Sequence, residues 1–206
     1  NNLGDGSALA NTRFVVGTTS TGPRLTVPGD VLDGDTDPDT PAANLTAGPA
    51  SITSTACAGT CAGNVTMEAD GQFTYDPKPG FKGADTFTYT VSDNSAVAPA
   101  NQTATGTVTV WVSGPLVWYV DGDAPAPAAG RAGTSHAPSN TLSALSTGGS
   151  LDALDGEGDI IFVYSAASSY TGGIVLENVQ RLIGEPNSLD VFVGAQSEPT
   201  NDIVPA

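Results

Sequence analysis

Positively charged residues are scarce in this sequence, and charged residues of any kind are few. Only 14% of the 206 residues are charged, and 6 Lys and Arg stand against 22 Asp and Glu, which gives a formal net charge of −16 at pH 7. This charge repels phosphate backbones and anionic lipid headgroups, so we expect neither nucleic acid nor a membrane surface as a partner. No apolar run approaches the ~20 residues that a membrane-spanning helix needs, so we expect no membrane insertion.

Cysteine and histidine are nearly absent. Cys57 and Cys61 lie four positions apart, and His136, the one histidine, is far away in sequence. These residues are therefore not expected to form a zinc site. We interpret the two cysteines as a disulfide that closes a small loop, with a free dithiol as the alternative. A disulfide favours an oxidising compartment, so the pair predicts an extracellular or cell-surface location.

Helical periodicity is missing from the first half of the sequence, where polar and apolar residues alternate instead. Alternating residues flank Asp70-Gly71 over 64–68 and 72–75, and an Asp-Gly pair in this setting predicts a tight β-hairpin. In 85–91, Phe87, Tyr89 and Val91 are expected to face a core while the intervening Thr residues face water. The same alternation predicts a strand at 103–112. Weaker strands are predicted at 13–16, 24–27 and 50–54.

Short strands separated by Gly, Pro, Asp and Asn turns predict a β-sandwich over residues 12–113, behind a flexible leader at 1–11. Three segments of this region, taken in order, resemble a bacterial cadherin-like Ig domain: 31–39, 63–75 and 79–93. The resemblance implies a structural or adhesive module, because such domains recur in tandem in large secreted and surface-anchored proteins. Such domains usually carry Asn-Asp where this chain has Gly34-Asp35.

Residues 114–206 follow a different pattern, in which short apolar runs are separated by Gly, Asp and Asn. This pattern predicts buried strands that belong to stacked coils. Strands are predicted at 116–121, 160–164, 173–176, 181–183 and 189–193. A short helix is predicted over 140–145, because an Asn or Ser cap precedes it and Gly148-Gly149 follows it.

Three segments of this second region resemble the N-terminal coils of bacterial right-handed parallel β-helices: 118–121, 155–164 and 170–184. The resemblance implies that the helix at 140–145 covers the first coil. A solenoid of so few coils leaves the strand edge and the apolar face of its last coil open. We therefore expect either that the natural protein continues or that another chain caps this coil. The predicted fold class is all-β: an Ig/cadherin-like β-sandwich plus a short parallel β-helix segment with a capping helix.

Acidic residues are concentrated in the loop after the strand predicted at 24–27. Carboxylates at alternate positions of an extended segment point the same way and repel each other unless a cation lies between them. Ca²⁺ accepts roughly six to eight oxygen ligands in flexible geometry, and the cadherin-like resemblance supports calcium. The predicted metal ligands are Asp33, Asp35, Asp37, Asp39 and, from outside the loop, Asp93. The alternative is a solvated acidic turn whose Asp side chains cap backbone amides.

A second acidic set precedes the strand predicted at 160–164, and it consists of Asp152, Asp155, Glu157 and Asp159. Paired carboxylates can catalyse glycoside cleavage, and parallel β-helices often host polysaccharide-cleaving enzymes. A surface turn is the favoured interpretation, because only Arg131 and Arg181 supply positive charge in this half, and fold analogy alone does not grant function. We therefore predict no catalytic residue.

Aromatic residues mark the junction between the two regions. They are Trp111, Trp118 and Tyr119. If these rings are exposed, they can stack on sugars. The favoured interpretation is that they are buried and pack in the core or between the units.

The expected protein is a non-catalytic extracellular module of a bacterial secreted or cell-surface protein, with a structural or adhesive role. Its expected partners are other protein chains, including copies of itself joined into fibres or arrays through β-edges or solenoid ends, and surface glycans. The competing function is a polysaccharide-binding or polysaccharide-cleaving β-helix protein.

Overall fold

The structure is a computed structural model that describes residues 8–17, 24–38, 44–54, 63–94, 102–167, 169–170, 173–185, 189–190 and 202–204. Its strands are β1 (Ala8–Leu9), β2 (Arg13–Val16), β3 (Arg24–Val27), β4 (Thr46–Ala47), β5 (Ser51–Ser54), β6 (Asn64–Met67), β7 (Phe73–Asp76), β8 (Gly83–Ser92), β9 (Thr103–Ser113), β10 (Val117–Val120), β11 (Ile160–Val163), β12 (Arg181–Gly184), β13 (Leu189–Asp190) and β14 (Asp202–Val204). A 3₁₀ helix covers Leu142–Leu145.

Two sheets form the sandwich that the sequence predicts. The first has the order β1-β9-β8-β4, and β5 also pairs with β8. The second has the order β3-β2-β7-β6. The hairpin predicted around Asp70-Gly71 is confirmed, because β6 and β7 pair antiparallel from Asn64↔Asp76 to Met67↔Phe73. The all-β fold class is therefore confirmed.

The longest pairing in the sandwich joins β8 to β9 over ten antiparallel pairs, from Gly83↔Val112 to Ser92↔Thr103. The predicted alternation holds on β8, where Phe87 and Tyr89 are buried and the flanking Thr88 is exposed. Tyr89 lies opposite Gly106, and any Cβ at that glycine would collide with the tyrosine ring. The absence of a side chain at position 106 therefore lets Tyr89 lie flat across the ladder.

The core of the sandwich contains a row of edge-to-face aromatic contacts. The ring of Phe73 lies 6.3 Å from that of Phe14 and 5.1 Å from that of Phe87, measured between centroids. Such contacts add stability beyond the apolar area they bury. Valines from β9 complete the inner layer, namely Val108, Val110 and Val112.

Residues 8–11, which the sequence placed in a leader, are fully buried. They include β1, which pairs parallel with the end of β9 through Ala8↔Val112 and Leu9↔Ser113. Their position is therefore inside the core, beside the strand that leads into the second unit.

The second unit is built on a parallel sheet of three strands, β10-β11-β12. Each strand starts level with the next, through Val117↔Ile160 and Ile160↔Arg181. Level parallel strands are what stacked coils produce, but three short strands do not by themselves make a β-helix, which stays a prediction. The predicted helix is present in a shorter form as the 3₁₀ helix, whose Leu145 is buried.

Two predicted strands of this unit differ in the structure. Residues 173–176 do not form a strand, so that prediction is wrong. Ile174 packs against the core while Val175 is 79% exposed. The turn of this connection comes later, at Asn178 and Val179. Of the strand predicted at 189–193, the structure describes β13. This strand pairs antiparallel with β14, so it does not extend the parallel sheet.

Buried hydrogen bonds join the second unit to residues 11–13 of the first. The hydroxyls of Thr12 and Tyr119 are 2.8 Å apart, and both side chains are buried. The Ser135 amide donates to the Asn11 carbonyl at 2.8 Å, and the Ser135 hydroxyl accepts from the Arg13 amide at 2.7 Å. This short segment therefore acts as the physical connection between the sandwich and the parallel sheet.

The bond between Thr12 and Tyr119 gives a first prediction. Tyr119→Phe and Thr12→Val should each lower the free energy of unfolding by about 1–2 kcal/mol, because each leaves a buried hydroxyl or its site unsatisfied. The double variant should cost less than the two separate losses together, by about 1 kcal/mol. Urea unfolding of the four proteins measures this coupling.

Tyr164→Phe is the matched control, since no described residue hydrogen-bonds the buried Tyr164 hydroxyl. It should leave stability unchanged or raise it slightly. Strict additivity of the Thr12 and Tyr119 variants would show that the hydroxyl contact does not connect the units.

Candidate functional site

The acidic loop after β3 is held to the sandwich by one buried residue, Val31. Its amide donates to the Gly71 carbonyl at 3.0 Å, and its carbonyl accepts from the Tyr89 hydroxyl at 3.0 Å. Residues 31–34 form a turn, closed by the Asp35 amide donating to the Leu32 carbonyl at 2.9 Å. The start of the loop is therefore fixed against the β6–β7 hairpin and β8.

The first carboxylates of this loop cap backbone amides. Asp30 Oδ1 accepts from the Leu32 amide at 2.8 Å, and Asp33 Oδ2 accepts from the Asp30 amide at 3.4 Å. Alternation predicts that Asp33 points the same way as Asp35, but that requires an extended chain. Because residues 31–34 turn, Asp33 is directed back toward Gly29 and does not line the cavity described next.

Three of the predicted ligands do meet, at a cavity of about 450 Å³ between the loop and the start of β9. Asp35, Asp37 and Asp93 line it, together with the ring of Tyr89. Asp93 is only 3% exposed, and its amide donates to the Gln102 carbonyl at 3.2 Å. Asp39 lies outside the described residues.

The negative potential of this cavity acts on Tyr89. Burial raises the pKa of Tyr89 above its ordinary value, and the charges of Asp35 and Asp30 raise it further. Carboxylates in this arrangement are the chemistry that Ca²⁺ prefers. Within the described ranges, however, no three acidic, histidine or cysteine side chains stand close enough to hold a metal ion. The donor types fit calcium, whereas the arrangement is not a formed metal centre.

A buried carboxylate that the sequence analysis missed lies at the other end of β8. Asp85 is fully buried, and its Oδ2 accepts from the Tyr75 hydroxyl at 2.6 Å and from the Gly63 amide at 2.9 Å. The signal was present in the sequence, since Asp85 alternates in phase with Phe87 and Tyr89. It ties the start of the β6–β7 hairpin to the first sheet.

The second acidic set has structural contacts. Asp159 is buried, and its Oδ2 accepts from the Trp118 indole at 2.9 Å and from the Gly156 amide at 3.0 Å. Burial raises the pKa of the Asp159 carboxyl. Asp152 caps the Gly148 amide at 2.9 Å. Asp152 and Asp159 therefore stabilise turns that precede β11, although Asp159 is buried and not at the surface.

The aromatic residues at the junction divide into two groups. Trp118 and Tyr119 are fully buried, which agrees with a packing role, whereas Trp111 is 62% exposed. The predicted disulfide between Cys57 and Cys61 lies outside the described residues.

Two packed sheets of mainly antiparallel strands form an Ig-like β-sandwich. The sequence model for the bacterial cadherin-like domain matches residues 7–114, just over half of the chain. The chain belongs to the bacterial cadherin-like domain family. Comparison with curated proteins gives no match, and neither does comparison with solved structures.

Membership in this family places the chain, at a coarse level, among extracellular structural and adhesion modules. Domains of this family are typical of secreted and surface proteins, and they generally bind calcium. In the described part of the chain, no helix has the length and apolar character that crossing a membrane requires.

The buried Tyr75 gives a prediction about alkaline pH. Burial raises its pKa above the ordinary value of a tyrosine, and the hydrogen bond to Asp85 raises it further. Above about pH 10 the unfolded tyrosine loses its proton while the folded one keeps it. The free energy of unfolding should therefore fall as pH rises, by about 1.4 kcal/mol per pH unit for each such tyrosine.

Tyr75→Phe should make this slope shallower, although it also lowers stability at neutral pH by about 1–3 kcal/mol because Asp85 loses a donor. Urea unfolding between about pH 9 and pH 11 measures the slope. Trp111→Phe removes no titratable group and should keep the wild-type slope. An unchanged slope in Tyr75→Phe would contradict the assignment.

Proposed function

We propose that this chain is a non-catalytic structural and adhesive module of a bacterial secreted or cell-surface protein. The family assignment supports the structural and adhesive role. The buried connection through Thr12 and Tyr119 adds to it, because two units locked together can present surfaces at a fixed angle. The contacts of Asp159 are consistent with the non-catalytic part, because they give this buried carboxylate a structural role: it holds the Trp118 indole and the Gly156 amide.

The two outer strands of the parallel sheet differ, and this difference carries the proposal for self-association. On the outer side of β10, the chain covers its own edge: the Tyr119 amide donates to the Gly133 carbonyl at 3.0 Å and the Asp121 amide to the Ser139 carbonyl at 2.8 Å. On the outer side of β12, no other strand pairs within the described ranges. Exposed apolar side chains surround that edge, namely Val175, Leu176, Val179 and Leu182.

An uncovered strand edge beside apolar side chains is a surface that pairs with another chain. Because the chain covers the outer edge of β10 while no described strand covers that of β12, two copies meet β12 to β12 rather than head to tail. Such a contact uses the same surface on both copies and closes as a pair. Assembly into fibres or arrays therefore needs a second contact in addition to this one.

A charge placed on this edge should prevent pairing. Leu182→Lys should convert the self-associated form to monomer, since it places a charge where apolar surface is to be buried. Sedimentation velocity over a range of concentrations measures the effect. Leu154→Lys is the matched control, because Leu154 is 45% exposed and Leu182 is 46% exposed, but Leu154 lies away from β12.

A wild-type protein that stays monomeric at high concentration would overturn the pairing. So would equal loss of association in both lysine variants.

We also propose that Ca²⁺ binds at the cavity lined by Asp35, Asp37 and Asp93. The family generally binds calcium, and three carboxylates line this cavity, which supplies the oxygen donors that Ca²⁺ prefers. Calcium at millimolar concentration should raise the melting temperature, since a ligand that binds only the folded state at 100 times its Kd adds about 2.7 kcal/mol.

Asp93→Asn and Asp35→Asn should reduce this calcium-dependent shift, whereas Asp33→Asn should keep it, because Asp33 does not line the cavity. Differential scanning calorimetry with calcium and with a chelator makes the comparison. No shift at millimolar calcium would remove calcium from the proposed function.

A further inference from the structure

The outward face of the β8–β9 ladder carries no charged side chain. Its positions on β8 are Ala84, Thr86, Thr88, Thr90 and Ser92, and those on β9 are Thr103, Thr105, Thr107, Thr109 and Trp111. We call these ten residues the threonine face. In a chain with a net charge of −16, this surface is locally neutral.

The threonine face is open to solvent and regular. All four of its β9 threonines are exposed, as are Thr88 and Thr90 on β8. Thr86 and Thr109 lie directly opposite each other, and their hydroxyls are 3.2 Å apart. Each hydroxyl can both donate and accept a hydrogen bond, so the face offers paired rows of neutral donors and acceptors.

Trp111 ends one of these rows with its indole exposed. The residue opposite it on β8 is Ala84, whose side chain is a single methyl group. Because this neighbour is small, the indole is 62% exposed rather than covered by a cross-strand partner. A large apolar ring left in water beside hydroxyl groups is the arrangement that recognises a ligand with one apolar and one polar aspect.

The dimensions of the threonine face decide between a protein partner and a narrow ligand. A ten-residue antiparallel ladder is about 34 Å long, and β5 widens part of the face to three strands, because Ser51 and Thr53 lie opposite Thr88 and Thr86. Three strands are about 15 Å wide. Even at that width throughout, two copies packed face to face would bury only about 1,000 Å² in total, whereas a stable protein interface needs about 1,200 Å² or more. A second copy of the chain is therefore a poor occupant, and a long, narrow ligand matches the shape.

The lack of charge on the threonine face narrows the class of ligand further. The threonine face itself carries no charged side chain, but its residues Thr103, Thr105 and Thr107 also line the acidic cavity. These acidic surroundings repel anionic polymers, so a neutral ligand is favoured. We propose that the threonine face binds a linear neutral glycan, whose pyranose ring stacks on Trp111 and whose hydroxyl groups exchange hydrogen bonds with the threonines. This inference rests on the proposed adhesive function and names its ligand class.

The test uses the full chain and three neutral hexasaccharides as probes: cellohexaose, xylohexaose and mannohexaose. Isothermal titration calorimetry should show binding of at least one. Trp111→Ala should weaken that binding at least about tenfold, equal to about 1.4 kcal/mol, whereas Trp111→Phe should retain most of it because it keeps an aromatic ring. Thr88→Val changes an exposed residue that does not line the acidic cavity. It removes one hydroxyl at nearly constant shape and should weaken binding by a smaller factor.

Three results would overturn the glycan site. The first is the absence of binding to all three hexasaccharides at millimolar concentration. The second is equal binding by wild type and Trp111→Ala. The third is equal affinity for oligogalacturonate, an anionic glycan of the same length.

Self-association through β12 is measured separately from glycan binding. Leu182→Lys should bind the hexasaccharide as wild type does, and Trp111→Ala should sediment as wild type does. Loss of glycan binding with intact pairing would therefore overturn only the glycan site, and loss of pairing with intact glycan binding would overturn only self-association. If Trp111→Ala abolished association instead, the threonine face would be a contact between copies and the glycan proposal would fall.

Discussion

The ladder between β8 and β9 assigns each of its side chains either to the core or to solvent, because side chains alternate along a strand. Its inward positions supply Phe87, Val108 and the ring of Tyr89 to the core. Its outward positions form the threonine face. At one end, Asp85 receives the Tyr75 hydroxyl, and at the other the chain delivers Asp93 to the acidic cavity. A slip of one residue in this register would exchange the two faces and remove all of these features together.

The alternation of polar and apolar residues predicted those features of the fold that depend on residues close together in sequence. The Asp70-Gly71 hairpin and the ladder alternation rest on local chemistry: Gly71 has a φ of 86°, which glycine adopts without strain. The same alternation identifies Asp85 as an inward-facing residue, because it lies two positions before Phe87 and four before Tyr89. What periodicity could not predict was its partners, since Tyr75 and Gly63 reach it only after the hairpin folds onto the first sheet.

Contacts between distant segments account for the remaining differences. Residues 8–11 are small and polar or weakly apolar, so nothing local distinguishes a loose leader from a strand that pairs with β9. Asp33 was expected to follow the alternation, but the turn at 31–34 breaks the extended geometry on which alternation depends. Residues 173–176 have the composition of a strand, yet they form no strand in the long connection between β11 and β12.

The covered edge of β10 gives the parallel sheet a gradient of local stability. Strand β10 is fully buried, and it is held by the hydrogen bond from the Trp118 indole to Asp159 and by backbone hydrogen bonds to Gly133 and Ser139. The side chains of β12, in contrast, are exposed or half-buried. Local opening should therefore begin at β12 and reach β10 last. A partner that adds to β12 would meet the most labile strand and would order it on arrival, so association and the completion of folding would be one event at this end of the molecule.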